Sequence, residues 1–246
     1  MARLRAARVT VVGLGGVGSW AAEALARSAV GHLTLIDLDM VAESNTNRQL
    51  PALDGEYGKA KVDVMATRIR AINPACDVKT IEDFVSTENV AEMLPINEMD
   101  GILDAIDQVS VKAAMIAHCH RHKLAVVTAG AAGGQVDPSR LQVNDLALTT
   151  QDPLLSKVRQ LLRRDFGFPA GISSSKQHGK VRKFGVPAVY STEPLRYPTP
   201  TPLCESGSDR GPQGLSCAGF GSSVCVTASF GMAAAAQIIH ALLATR

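Results

Sequence analysis

The sequence predicts an α/β protein on a doubly wound, mainly parallel sheet, with a mixed or antiparallel extension toward the C-terminus and a long apolar helix at the end. Three observations lead there. Residues 9–37, VTVVGLGGVGSWAAEALARSAVGHLTLID, write out a strand, a glycine turn, a helix and a second strand in that order. Strand-like runs then alternate with helix-period segments as far as residue 135, the pattern of a parallel sheet covered on both faces. Beyond it the alternation weakens, and period-two patterning appears at residues 141–145.

The first unit is the most explicit. Residues 9–12 form a β-branched run long enough for a buried strand. Gly13, Gly15, Gly16 and Gly18 follow at once. Gly13 serves the tight turn, Gly15 admits a phosphate close to the backbone, and Gly18 lets the next helix pack close on the sheet. From Val17 the spacing turns helical, with Trp20, Ala21, Ala24 and Leu25 on one face and Gly31 ending the helix. That helix directs its free N–H groups and positive dipole end toward an anion. Residues 33–36 are the second strand, and Asp37 stands at its tip, where a carboxylate accepts hydrogen bonds from ribose hydroxyls. The order of these parts is Rossmann-like and predicts an adenine-nucleotide site. By itself it serves ATP and NAD equally.

Asp39 and the polar run 43–50, ESNTNRQL, come next, just beyond a strand's carboxyl end, where ligands sit in doubly wound folds. Asn45, Asn47 and Arg48 are its candidate hydrogen-bonding and phosphate-pairing groups. Residues 59–72 are a helix, with Val62, Met65, Ala66, Ile69 and Ile72 inward and Asn73-Pro74 as its stop. Lys61 lies in the first turn, where a cation opposes the helix dipole; it is either a phosphate-facing group or a surface lysine. Residues 78–81 are a third strand and 90–94 a short helical turn. Residues 101–106 are a fourth strand carrying Asp104, read as structural, and ending at Asp107, a natural magnesium ligand at the nucleotide crevice. A helix over 112–122, a fifth strand over 125–128 and a flexible turn, GAAGG at 130–134, complete the regular half.

In the second half, Leu154, Leu155, Val158, Leu161 and Leu162 mark the apolar side of a helix. Its other side carries Lys157, Arg159, Arg163 and Arg164, a solvated face or a contact for a phosphate backbone. Residues 167–183 read as a mobile loop, 186–191 as a strand and 194–216 as a proline-rich crossover. Cys217 precedes the apolar helix, where a thiol pKa falls; it is either a reactive thiol or a small packed residue.

Composition narrows the class. A net charge of +2 does not imply a nucleic-acid-seeking surface, and no DNA partner is expected. Five cysteines, Cys76, Cys119, Cys204, Cys217 and Cys225, contain no C-x-x-C pair, which removes a zinc ribbon and suits reduced thiols in the cytoplasm. Residues 218–244 carry no formal charge and are long enough to span a bilayer. They are read as a buried or interface helix, with membrane association as the alternative.

GLGGVGSW, LIDLD, NTNRQ, Lys61 and DAIDQ together resemble the ubiquitin-activating-enzyme-like adenylating enzymes. RIRAINP, TAGAAGGQVDP, QDPL and CAGFGSSVCVTASFG narrow the resemblance to the branch that dehydrates threonylcarbamoyladenosine in bacterial tRNA, from residue 8 onward. That resemblance implies an ATP-dependent cyclisation through an acyl-adenylate, next to the tRNA anticodon. It implies that Gly15 and Gly16 lie against the nucleotide and that Asp37 holds the ribose. Asn45, Arg48 and Lys61 then grip phosphates and Asp107 holds Mg2+, with Gly13, Gly18, Asp39 and Asn47 counted among the cofactor-binding residues. Arg48, Lys61 and Asp107 would be the catalytic groups.

The branch also implies a homodimer and a sulfur-relay-type protein partner. Its members carry a longer N-terminal segment, whose arginine reaches the partner subunit's ATP site; here Arg3 or Arg5 substitutes, or the chain begins late. On this reading residues 1–246 are one domain, with 1–135 the nucleotide-binding half and 136–246 the substrate-binding and dimerisation half. Two competitors remain. One is an activator of a small ubiquitin-like or sulfur-carrier protein, against which the missing zinc cysteines count. The other is an NAD-dependent oxidoreductase, in which Arg48, Lys61 and Asp107 have no task.

Overall fold

The computed structural model describes residues 1–171, 181–195 and 221–244. In chain order its main elements are α1 (Ala2–Ala6), β1 (Arg8–Val12), α2 (Gly18–Arg27), β2 (His32–Ile36), α3 (Lys61–Ile72), β3 (Asp77–Ile81) and α4 (Val90–Met93). There follow β4 (Gly101–Asp104), α5 (Val109–Arg121), β5 (Ala125–Ala129), β6 (Leu141–Asp145), α6 (Pro153–Asp165), β7 (Pro187–Ser191) and α7 (Val224–Ala244). The strands form one sheet in the order β3-β2-β1-β4-β5-β7-β6. Every pairing is parallel except β6 with β7, where Leu141 faces Ser191 and Asp145 faces Pro187. The strand order reverses direction between β1 and β4, and such a switch point opens a crevice at the strands' carboxyl ends.

Alternation along the strands assigns the two faces. Val9 and Val11 of β1 and Leu33 and Leu35 of β2 point to the side covered by α2, α3 and α7. Val12, Ile36, Ile102 and Val126 point to the side covered by α5 and α6. Residues 136–195 add β6 and β7 to the same sheet rather than building a second one.

Element ends differ from the sequence pattern for local reasons. Helix α2 stops at Arg27, and the left-handed residue is Ala29 (φ 61°) rather than Gly31. Gly31 serves another need: a side chain there would run into the Arg5 carbonyl. Helix α3 starts at Lys61 because Ala60 is extended and bridged to Met40. Strand β4 ends at Asp104, not at 106. Helix α5 begins earlier than expected, at Val109.

Helix α7 is long and apolar enough to cross a membrane, with mean hydropathy 1.5. It nevertheless packs on α2, β4, β5 and β7, with Val226, Phe230, Ala234, Ala235 and Ile238 fully buried. Gly231 sits at its closest approach to α2: a Cβ there would lie 2.5 Å from the Val17 carbonyl and 2.8 Å from Trp20 Cβ.

Candidate active site

The turn after β1 is shaped by its glycines. Gly13 has φ +86°, and its N–H donates to the Ile36 carbonyl at 2.9 Å, drawing the loop over β2. A side chain at residue 18 would overlap the Gly13 carbonyl, so Gly18 is a packing glycine behind the turn. At Gly15 nothing lies within 4 Å of where a Cβ would stand. That open backbone forms one wall of a cleft of about 680 Å³.

Gly13, Gly15, Gly16, Asp37, Asp39, Arg48, Lys61 and Asp107 all line this cleft. Asp37 is locked in place: one carboxylate oxygen accepts the Leu14 N–H at 2.5 Å and the other the Asp39 N–H at 2.8 Å. Each oxygen keeps a further lone pair for a ligand hydroxyl. Lys61 is not a surface lysine. Its side chain is 4% exposed, and its ammonium meets the Asp39 carboxylate at 2.8 Å, where Asp39 is 73% exposed. The cation is thus held at the cleft wall by a partner that faces solvent. Arg48 is anchored by its neighbours, with Nη1 donating to the Ser44 carbonyl at 2.8 Å and to Asn47 Oδ1 at 2.9 Å. The Trp20 indole N–H donates to the Arg48 carbonyl at 3.1 Å and fixes the main chain beneath it.

Asn45 and Asn47 are placed elsewhere. Asn45 Oδ1 accepts the Ala42 N–H at 3.2 Å and closes a short helical turn. Asn47 Nδ2 donates to the Ser222 carbonyl at 2.9 Å, and Asn47 lines a separate depression beside residues 221–222. Their amides are engaged with the protein's own backbone, and neither lines the nucleotide cleft.

Asp107 is in the cleft but not at a strand tip; it is exposed, three residues past the end of β4. The tip residue is Asp104, fully buried against Lys112 at 2.9 Å. Asp104 also accepts from Thr128 Oγ1 at 2.7 Å, and the Lys112 ammonium donates to the Ile106 carbonyl at 2.9 Å. A buried ion pair saturated in this way fixes the loop that carries Asp107. Cys119 lies under the same pair; burial, helped by the Asp104 charge, pushes its thiol up to about 12, so it is not a nucleophile. Cys217 lies outside the described residues.

Several lining residues escaped the sequence pattern. Gln49 is 8% exposed, and its Oε1 has no hydrogen-bond partner among the described residues while the side chain lines the cleft. Phe84 is 54% exposed at the cleft edge, next to Asp83 and Val85. An aromatic residue left in solvent just past β3 was the available signal. Gly130, Ala131 and Ala132 form the opposite wall. There Asp152 accepts the Ala131 N–H at 2.9 Å while capping α6 through the Leu155 N–H at 2.8 Å. Burial raises the Asp152 carboxyl above its ordinary range, against the pull of those N–H groups and of Lys112. Thr227 of α7 reaches the cleft beside Gly16, and no local pattern announces it.

A family model described as the ThiF family matches residues 1–246. The chain belongs to the ThiF family. Among ThiF-family relatives, the tRNA threonylcarbamoyladenosine dehydratase of Haemophilus influenzae is 48% identical over 244 residues, 99% of this chain and 88% of that protein. The enzyme of the same description from Escherichia coli is 48% identical over 241 residues, 97% of this chain and 87% of that protein. The crystal structure of the E. coli enzyme in complex with ATP superposes with a TM-score of 0.82 at 46% identity, covering 98% of this chain and 87% of that one. A molybdopterin-synthase adenylyltransferase of H. influenzae, at 32% identity, covers 63% of this chain. That match therefore spans less of the chain than the matches to the two dehydratases.

Proposed function

We propose that this ThiF-family chain catalyses the ATP-dependent dehydration of N6-threonylcarbamoyladenosine in tRNA. The observation that carries the reading is near-full-length identity of 48% to two tRNA threonylcarbamoyladenosine dehydratases, joined to a cleft whose charges suit an adenylation. A carboxylate must attack a phosphate, so two anions have to meet. Lys61 and Arg48 supply fixed positive charge on the wall, and electrostatic stabilisation of this kind is usually the largest single catalytic effect. The open backbone at Gly15 leaves room for phosphate oxygens, and Asp37 offers ribose hydroxyls two oriented acceptors.

The chemistry follows. The threonyl carboxylate oxygen attacks the α-phosphorus of ATP, the bond to the β-phosphate oxygen breaks, and pyrophosphate leaves. An internal nitrogen or oxygen of the modified base then attacks the acyl carbon, loses its proton, and expels AMP. The net change in the nucleoside is loss of one water, and no protein nucleophile is required.

We assign magnesium to Asp107. Among the described residues no group of three His, Cys, Asp or Glu side chains could hold a metal ion, and Mg2+ is commonly held by one or two carboxylates with substrate phosphates and water completing the shell. Bound there, it would neutralise phosphate charge. Asp107→Ala is expected to abolish pyrophosphate release with the circular dichroism spectrum unchanged; normal turnover would remove the assignment. We assign the exposed apolar side of α7, with Val224, Met232 and Leu243 in solvent, to a second copy of the chain, to be read by sedimentation velocity. Arg3 donates to the Leu243 carbonyl at 3.1 Å and ties α1 to that helix. The substrate places the enzyme in the cytoplasm.

The test of the reaction is exchange of labelled pyrophosphate into ATP with total cellular tRNA, with protein extract, and with neither. Exchange only with tRNA, followed by the loss of water in nucleoside mass spectrometry, is the expected result. Exchange with protein extract alone would instead support a carrier or sulfur-relay protein as the substrate.

A further inference from the structure

The formal charge of +2 conceals a strong segregation. Residues 157–183 contain eight basic side chains and one acidic, so the rest of the chain is net acidic. Within this stretch α6 presents Arg159 and Arg163 one helical turn apart. With Ser156, Gln160 and Arg164 they line a depression of about 450 Å³. Among the described residues neither of the two pairs with a carboxylate. The Arg159 guanidinium donates to the Thr149 hydroxyl. Arg163 Nε donates to the Pro169 carbonyl at 3.2 Å, and its guanidinium carbon lies 5.2 Å from the Phe184 ring centroid.

Phe184 in turn packs edge-on against Phe168 with centroids 5.0 Å apart, and Phe168 against His120 at 4.6 Å. The Arg163 plane is therefore fixed by a stack of rings, while its Nη atoms have no hydrogen-bond partner among the described residues. Burial, and then repulsion from Arg163 one turn away, lower the Arg159 pKa against the weaker pull of Asp152. Two restrained guanidinium groups facing one depression without a counter-ion form a ready anion site, since Arg recognises phosphate through paired N–H donors. Arg164 is exposed on the rim and bonded to Asp165 at 2.6 Å. Lys157 does not line the depression.

The position of this site gives it direction. Helix α6 begins at the nucleotide cleft: Asp152 holds its first turn and the Ala131 N–H together, and Leu154 lines the cleft. At 1.5 Å per residue, Arg159 and Arg163 lie about 8 and about 14 Å along the helix axis from Leu154.

We propose that Arg159, Arg163 and Arg164 form a track for the phosphate backbone of the RNA strand whose modified nucleoside occupies the cleft. The proposal rests on the tRNA reading above. Its test uses the full chain, unfractionated tRNA and filter binding across a series of salt concentrations. Arg163→Gln with Arg164→Gln should weaken tRNA binding ten-fold or more and lower the slope of log K against log salt by about one for every phosphate that is no longer neutralised. The KM for tRNA should rise while the KM for ATP stays.

Arg164→Glu alone removes no ring contact and serves if the double variant fails to fold; it should weaken binding several-fold. Unchanged affinity and salt slope in a folded variant would overturn the track while leaving the reaction in place. A wild-type chain that neither binds nor turns over tRNA would overturn the reaction itself, and the track with it.

Discussion

Lys61 carries the clearest consequence at the scale of one residue. Its stem is buried, its ammonium is held by Asp39, and both line the cleft. Lys61→Met keeps the stem's packing, since Met is unbranched and fills irregular space, and deletes the charge. Turnover by pyrophosphate exchange is expected to fall by about 10²–10³, the loss typical of removing one preorganised stabilising group, with an unchanged folded spectrum. A loss within three-fold would show that Lys61 only positions Asp39. The position of Lys61 was legible because a cation in the first turn of a helix contradicts the dipole. Asp37 was legible too, from the strand, glycine turn, helix and acid in series. Asn45 and Asn47 were not. An asparagine beside a nucleotide turn reads the same whether its amide faces a ligand or a backbone group; here Asn45 closes its own turn and Asn47 reaches the distant Ser222 carbonyl. Asp104 is buried, as its structural reading expected, but Asp107 was expected at a strand tip and lies three residues past it, because β4 ends at Asp104, whose buried partner Lys112 sits eight residues further on.

At the scale of elements, hydrophobic period fixed type, and a side-chain cap set the start of α6 alone among α1–α6. The antiparallel β6 followed from its alternation; α6 starts at Asp152-Pro153, where the carboxylate caps and proline occupies the first turn. What no period encodes is which helix meets which. The α2–α7 contact depends on Gly231, whose place admits only a hydrogen: the atoms crowding it include the Val17 carbonyl and the Ala21 nitrogen, which are backbone and cannot turn aside. Gly231→Val should therefore cost about 1–3 kcal/mol as overpacking and lower the midpoint of thermal unfolding by about 2–12 °C, at about 2–4 °C per kcal/mol for a chain of this size. An unchanged melting curve would mean that the two helices can separate freely. Because Thr227 stands one turn earlier on α7, beside Gly16, the same substitution should also weaken ATP binding.

For the whole molecule, the cleft draws on β1, β2, α3, the turns that follow β4 and β5, α6 and α7, from Val12 to Thr227. A ligand that needs all of them stabilises the folded state as a unit. ATP at 100 times its dissociation constant is expected to add about 2.7 kcal/mol, seen as a rise of about 5–10 °C in the thermal midpoint at 2–4 °C per kcal/mol. A rise in Lys61→Met as large as in the wild type would place the bound nucleotide away from that lysine. The sheet order was legible in outline, since alternating strands and helices imply a parallel, doubly covered sheet. The return of the last helix to the first glycine turn was not, because it joins residues more than 200 apart in the chain.

That return has a bearing on the order in which the protein is made. The glycine turn and α2 leave the ribosome first, yet the helix that covers α2 is encoded by codons 224–244. Until those codons are read, Trp20, Ala21 and Leu25 have no lid, and the N-terminal unit has the form of a nucleotide fold without its closing wall. Contacts of such long sequence separation form late and slowly. The wall that α7 gives the crevice is therefore the last part of it to be made.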